Sequence, residues 1–209
     1  MGSQKILNKL QTPHISLHTF RMKPRCEWCS NDPIYTDYHD YEWGVPLHDE
    51  RRLFEMLILE GAQAGLSWIT VLKKRPAYRE LFHNFDVKKV AAMSDEDLEE
   101  ILLNPAIIRN RLKVYSARRN AIAVLKLIEE CGSLDHYFWS WIDHSPIVNH
   151  RKDLNEIPAL IPLAETISKD LKKRGLNFVG PTIIYAYMQS IGMVDDHVEE
   201  CFVRVKEKG

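Results

Sequence analysis

Four side chains at opposite ends of the chain have the chemistry of one metal site: Cys26 and His39 near the start, His197 and Cys201 near the end. Two thiols and two imidazoles are a ligand set for a tetrahedral structural zinc. His197 and Cys201 are four residues apart, so on a helix they would share a face. A shared ion would close nearly the whole chain into one loop and make the aromatic-rich stretch from Cys26 to Trp68 a fixed wall. Spacing alone does not decide the matter. A Cys and a His thirteen residues apart, as Cys26 and His39 are, is no zinc-finger interval, and the close pair Cys26 and Cys29 has no second close pair downstream. Cys29 remains an alternative to Cys26, and buried thiols with surface histidines remain an alternative to zinc. Cys131, at the end of a long helical pattern, reads as a core or capping residue.

Mostly helical elements must position these groups. Leu53, Phe54, Leu57, Ile58 and Gly61 recur at helical spacing. Leu66 to Lys74 reads as a short helix stopped at Arg75-Pro76. Ser94 followed by Asp97 resembles a capping box, with Leu98, Ile101 and Leu102 as the apolar face of the helix it opens. Asn104-Pro105 breaks that helix, and a basic helix is expected from Ile107 to Glu130, ending at Gly132. Further helices are expected over Ser133–Ile142, Pro162–Arg174 and Ile183–Ile191. No alternating run is long enough for a sheet, so the fold class is all-α. Residues 1–22 lack periodicity and read as a partly disordered N-terminal extension. Residues 23–209 read as the folded domain, in two helical lobes.

The 209 residues, 45% hydrophobic, suffice for one sizeable core or two small lobes sharing one. Four cysteines without a secretory signal favour a reducing compartment over a disulfide framework. No apolar run approaches the roughly 20 residues of a membrane helix. A net charge of −1 does not announce a nucleic-acid binder. The charge is uneven, however: residues 101–128 hold Arg109, Arg111, Lys113, Arg118, Arg119 and Lys126 and no acid. Such one-sided basic patches suit a polyanion, although most charge runs are solvated helix faces. Leu98 to Lys113 has the layout of a helix-hairpin-helix, whose turn offers backbone N–H groups to phosphate. An ordinary antiparallel helix pair has the same layout, and here Pro105 removes an N–H from the turn.

Five stretches carry a resemblance: DPIYTDYHDYEWGVP (32–46), LEGAQAGLSWITVLKKR (59–75), IIRNRLK (107–113), FVGPTIIYAYMQSIGMVDDH (178–197) and Cys201. From about Cys26 to Cys201 the chain resembles the Tag family, the 3-methyladenine DNA glycosylase I branch of the helix-hairpin-helix glycosylases. The resemblance implies an all-α helix-hairpin-helix glycosylase fold, with a structural Zn2+ joining the N- and C-terminal segments. Its ligands fall on Cys26, His39, His197 and Cys201, which displaces Cys29. It implies a monofunctional enzyme of base-excision repair that hydrolyses the N-glycosidic bond of 3-methyladenine in double-stranded DNA. Free 3-methyladenine is its product. A cytoplasmic bacterial monomer, acting on the chromosome with no membrane, is expected. The base pocket falls on Trp28, Tyr35, Tyr38, Trp43 and Trp68, with Glu60 as the catalytic group.

The chemistry fits those residue types. The base must be flipped out of the duplex and stacked between rings. 3-Methyladenine is cationic while attached to sugar, and cations bind indole and phenol faces. Glu60, in Leu59-Glu60-Gly61, would accept from the adenine amino group and repel the guanine O6. Tyr38 would add a hydroxyl contact. The alternatives are aromatics that simply fill a core and a partly exposed helix-end glutamate. The superfamily's aspartate beyond the hairpin has no counterpart between Glu100 and Glu129, so binding and distortion are expected to carry much of the catalysis. Leu66, in Gln63-Ala64-Gly65-Leu66, is the expected wedge into the base stack. Arg109, Arg111 and Lys113 are the expected phosphate contacts. Ala106 and Leu112 stand where the family carries glycines in or near the hairpin.

Three rivals remain open: a catalytically silent zinc-containing DNA-binding module, a hydrolytic zinc enzyme of another class, and a helical protein binding acidic partners. The second is disfavoured because four protein ligands leave no open metal position.

Overall fold

The protein was analysed as a computed structural model that describes residues 24–29 and 31–204. The N-terminal extension expected at residues 1–22 lies outside them.

Nine α-helices account for most of the described chain. Helix α1 (Pro33–Tyr41) starts with Asp32, whose carboxylate accepts from the Ile34 N–H, and with proline in its first turn. Helix α2 (Glu50–Gln63) is capped by Asp49, and every residue from Leu53 to Ala62 is buried. A helix covered on all sides belongs in the centre of a core. The others arrange themselves around it: α3 (Trp68–Leu81), α4 (Val87–Ala91), α5 (Asp95–Leu103), α6 (Arg111–Cys131), α7 (Leu134–Trp139), α8 (Pro162–Lys173) and α9 (Pro181–Ser190). Of these, α3, α6, α7 and α9 pack directly on α2. The Ser94–Asp97 capping box forms as read, and Gly132 ends α6 at φ 89°.

Four local expectations change. Helix α3 does not stop at Arg75 but runs through Pro76 to Leu81. Proline removes one helical N–H bond, but Arg75 and Tyr78 on either side are buried, and that anchoring holds the helix together. Helix α6 begins at Arg111 rather than Ile107. The Asn104 side-chain Oδ1 accepts from the Ala106 N–H, Ile107 is buried, and the Asn110 side chain accepts from the Lys113 N–H. The 104–110 segment is therefore an anchored turn. The aromatic helix is α7 only to Trp139, followed by a 3-10 turn over Ser140–Ile142. His197 and Cys201 are not on a helix. Strand β1 (Ile147–Val148) pairs in parallel with β2 (Val194–Asp195), and the chain beyond β2 turns so that the Cys201 N–H meets the Val198 carbonyl. This two-residue pairing leaves the all-α class intact. No described helix is long and apolar enough to cross a membrane.

A buried ionic knot joins α1, α2 and α3. The Arg75 guanidinium donates to Glu55 at 2.5 Å and to both Glu42 oxygens at 2.8 and 2.9 Å, and Arg79 reaches Glu55 at 2.8 Å. Removing one member of a buried pair strands the other's charge. Arg75→Met should therefore cost about 3 kcal/mol, read as a lower urea midpoint at unchanged slope.

Candidate active site

Trp28, Tyr35, Tyr38, Trp43, Glu60 and Trp68 line one cleft of about 220 Å³. That is smaller than the roughly 300 Å³ of the smallest drug-sized pockets and matches a flat base. The six residues come from three places. Trp28 lies in the segment before α1, Tyr35 and Tyr38 on α1, and Trp43 just beyond it; Glu60 comes from α2 and Trp68 begins α3. The rings meet at tilted or edge-on angles: Trp28 and Tyr35 at 5.1 Å, Trp28 and Trp43 at 5.0 Å, Tyr38 and Trp68 at 5.3 Å. Such geometry leaves faces uncovered instead of closing them against each other.

Glu60 is the polar focus. It is 3% exposed, and no cation lies in ion-pair range of it among the described residues. Burial pushes its carboxyl up to about 8, with the nearby Ser190 hydroxyl pulling the other way. Ser190 donates its own proton to the Tyr187 carbonyl at 2.8 Å. Tyr38 is held neutral, first by burial and then by the charge of Glu60. The Trp68 indole N–H is buried without an acceptor. A buried acid without a cation and an unmet donor in one cleft are costly to a folded protein unless a ligand uses them.

Residue typing missed four other lining groups, Gln63, Ile157, Ala186 and Gln189. Gln189 spends its amide donor on Asp196 at 2.8 Å, and Asp196 also accepts from Asn149, Arg151 and Tyr185. Its place on the inner face of α9 follows from packing of distant segments, which no local pattern carries.

Behind the aromatic wall, Cys26, His39 and Cys201 converge, with their donor atoms within 4.8 Å of one another. The ring of His197 lies 5.2 Å from that of His39, and its Nε2 is buried without a partner. Asp40 holds Nδ1 of His39 at 2.8 Å, and Asp195 holds Nδ1 of His197 at 2.7 Å. This outer support fixes imidazoles for metal ligation through Nε2. Contacts from Cys26 and His39 favour the Cys201 thiolate, the form that binds metal, while the same pairing and burial push the Cys26 thiol up. The donor set, its outer carboxylates and the orphaned nitrogen fit a tetrahedral zinc. Trp43 packs on His197 at 4.5 Å and Trp28 on His39 at 5.2 Å, so this cluster backs the cleft. Gly44, at φ +74°, lets the chain pass; a Cβ there would meet His197 at 2.7 Å.

The remaining predicted residues are not among those that line the cleft. Leu66 is 42% exposed in the turn between α2 and α3. Arg109 is exposed in the 104–110 turn. Arg111 pairs with Glu99 at 2.6 Å, and the Lys113 ammonium donates to the Ala62 and Ala64 carbonyls.

A family model described as methyladenine glycosylase matches residues 28–204. The chain belongs to that family. The DNA-3-methyladenine glycosylase 1 of Escherichia coli K12 is 50% identical over 177 residues, covering 85% of this chain and 95% of that protein. The DNA-3-methyladenine glycosylase of Haemophilus influenzae is 49% identical over 181 residues, covering 86% and 97%. The crystal structure of a variant of 3-methyladenine DNA glycosylase I in complex with 3-methyladenine superposes with a TM-score of 0.84 at 34% identity, covering 87% of this chain and 98% of that one.

The Glu60 carboxyl gives this family member a testable pH signature. Folding raises it from 4.5 to about 8, so between those values the folded chain holds a proton that the unfolded chain has released. Stability must then fall as pH rises through that window. Relative to Glu60→Gln, the wild-type chain should lose up to roughly 5 kcal/mol between pH 4.5 and 8. Urea unfolding of both proteins across that range measures the difference.

Proposed function

We propose that this chain is a DNA-3-methyladenine glycosylase that hydrolyses the N-glycosidic bond of the flipped lesion in duplex DNA. The observation that carries the proposal is the buried Glu60 carboxyl, with no cation beside it, at the floor of a base-sized aromatic cleft. Family membership and relatives named for this activity support it.

In this mechanism the cationic base enters between the indole and phenol faces, which attract its charge. That same charge offsets the desolvation of Glu60 and favours its carboxylate. The carboxylate accepts from the adenine amino group, where guanine would present an acceptor. Tyr38 and the Trp68 N–H supply two further donors. The bonding electrons of the broken C–N bond pass to the ring, which leaves neutral, and water adds to the sugar's anomeric carbon and gives up a proton to solvent. Since the leaving group carries its own positive charge, the site needs to hold the base and the distorted sugar more than to deliver a proton. Leu66 enters the gap left by the flipped base, with Arg109 on a backbone phosphate while Arg111 stays paired with Glu99.

Cys26, His39, His197 and Cys201 bind one structural zinc in this proposal. The ion ties the two terminal segments together and takes no part in bond breaking.

Glu60→Gln should lower release of 3-methyladenine from methylated duplex DNA by at least about tenfold to a hundredfold, while the fold and metal content stay intact. Unchanged release would remove Glu60 from the mechanism. No release by the wild-type chain, with salt-dependent DNA binding retained, would favour a silent DNA-binding module. Elemental analysis should return one zinc per chain. Cys201→Ser should lose it, with Tm lowered on the order of 10 °C, as several kcal/mol of linked binding energy disappear.

A further inference from the structure

Two lysines link the turn that carries Leu66 to the turn between α5 and α6. From α6, the Lys113 ammonium donates to the carbonyls of Ala62 and Ala64 at 2.7 and 2.6 Å. From α3, the Lys74 ammonium donates to the Pro105 carbonyl at 2.9 Å. Each lysine reaches out of one helix pair to hold the turn of the other.

The first of these contacts is unusual in its chemistry. Arg111 and Arg118, on the same helix, pair with the carboxylates of Glu99 and Asp95. Lys113 has no carboxylate in ion-pair range among the described residues. Its charge is met by two carbonyls at the C-terminal end of α2, where backbone oxygens lack helical partners and the helix dipole is negative. Partial burial pulls its ammonium below the ordinary lysine value, as expected for a group facing protein more than water. Glu60 lies one helical turn before Ala64, and Leu66 lies two residues after it. Gly65 between them sits at φ +77°, where a Cβ would meet nothing within 4 Å, and the Leu66 N–H closes the turn on the Gln63 carbonyl at 2.7 Å, so Lys113 holds the base of a turn whose tip stands clear of other packing.

We propose that Lys113 is a positioning residue, not a phosphate contact: it locks the Leu66 turn to the hairpin, so that gripping the DNA backbone and wedging the base stack occur in fixed register. The inference rests on the proposed base-flipping activity and on Leu66 as the wedge. Loss of the lock leaves the pocket intact and misplaces the wedge, and misplacement of about 1 Å can cost on the order of a hundredfold in rate.

Excision from methylated duplex and methylated single-stranded DNA separates the possibilities, because a single strand has no paired stack to open. Lys113→Met should reduce kcat on duplex by tenfold or more, change single-strand excision by less than about threefold, and leave the affinity for free 3-methyladenine unchanged. The salt dependence of duplex binding should keep its slope. Combined with Leu66→Ala it should add little, because both act on one step. Lys74→Met, acting on the same link from the other side, should give the same duplex-selective loss and serves if Lys113→Met fails to fold. Three results would overturn the proposal: a salt slope reduced by about one charge at unchanged kcat, which marks a phosphate contact; equal losses on both substrates; or full additivity with Leu66→Ala. Failure of the wild-type chain to release the base would instead overturn the activity beneath it.

Discussion

The rest of this molecule depends on keeping one carboxyl group away from water. Helix α2 carries two buried acids five residues apart, and they are treated oppositely. Glu55 is met by Arg75 and Arg79, so its charge is neutralised inside the protein. Glu60 is met by no cation, and its carboxyl is pushed up to about 8. The first arrangement holds three helices together; the second leaves an unfilled demand for a positive, donor-bearing partner. A lesion with a cationic ring and an exocyclic amino group satisfies both parts of that demand. An unmodified adenine offers the amino group without the charge, so in the proposed mechanism the burial of Glu60 would itself favour the damaged base.

Such a demand is useful only if the cleft cannot collapse onto it. Three of the ring-bearing residues stand on or beside α1, a nine-residue helix outside the central core. The cysteine and histidine cluster supplies the missing constraint. It brings the segment before α1, through Cys26, against the segment after β2, through Cys201, with His39 and His197 packed against Trp28 and Trp43. The Glu42–Arg75–Glu55 knot fixes the other end of α1 to α2 and α3. The aromatic wall is thus held from behind and from one end, and its open side faces Glu60.

What the sequence revealed follows the range of the interactions involved. Capping chemistry is local, and Ser94 with Asp97 could be read directly. The α3 boundary failed because Pro76 is a local signal and the anchors that override it, Glu42 and Glu55, are 33 and 20 residues away from Arg75. His197 and Cys201 were placed together for the wrong local reason: a turn after a short parallel strand brings them round, not a helix face. The six pocket residues were nameable only because long motifs resembled a family; their types alone fit a core equally well. That Glu60 has no cationic partner is a fact about everything surrounding it, and a single chain position cannot express it.

The basic stretch behind the hairpin has a weaker field than its composition implies. Arg111 and Arg118 are neutralised by Glu99 and Asp95, and Lys113 is spent on carbonyls, which leaves Arg109, Arg119 and Lys126 without ion pairs among the described residues. Phosphate binding scales with the charges free to replace counterions, so the three cations of this stretch would add only a modest, salt-sensitive grip. For an enzyme that must find a rare lesion among many normal bases, a modest grip has a physical advantage. Tight nonspecific binding would hold the protein wherever it first landed, whereas a loose hold permits movement along the duplex. In the proposed mechanism selectivity would then reside in the cleft, where the energy of desolvating Glu60 is recovered only when the right base arrives.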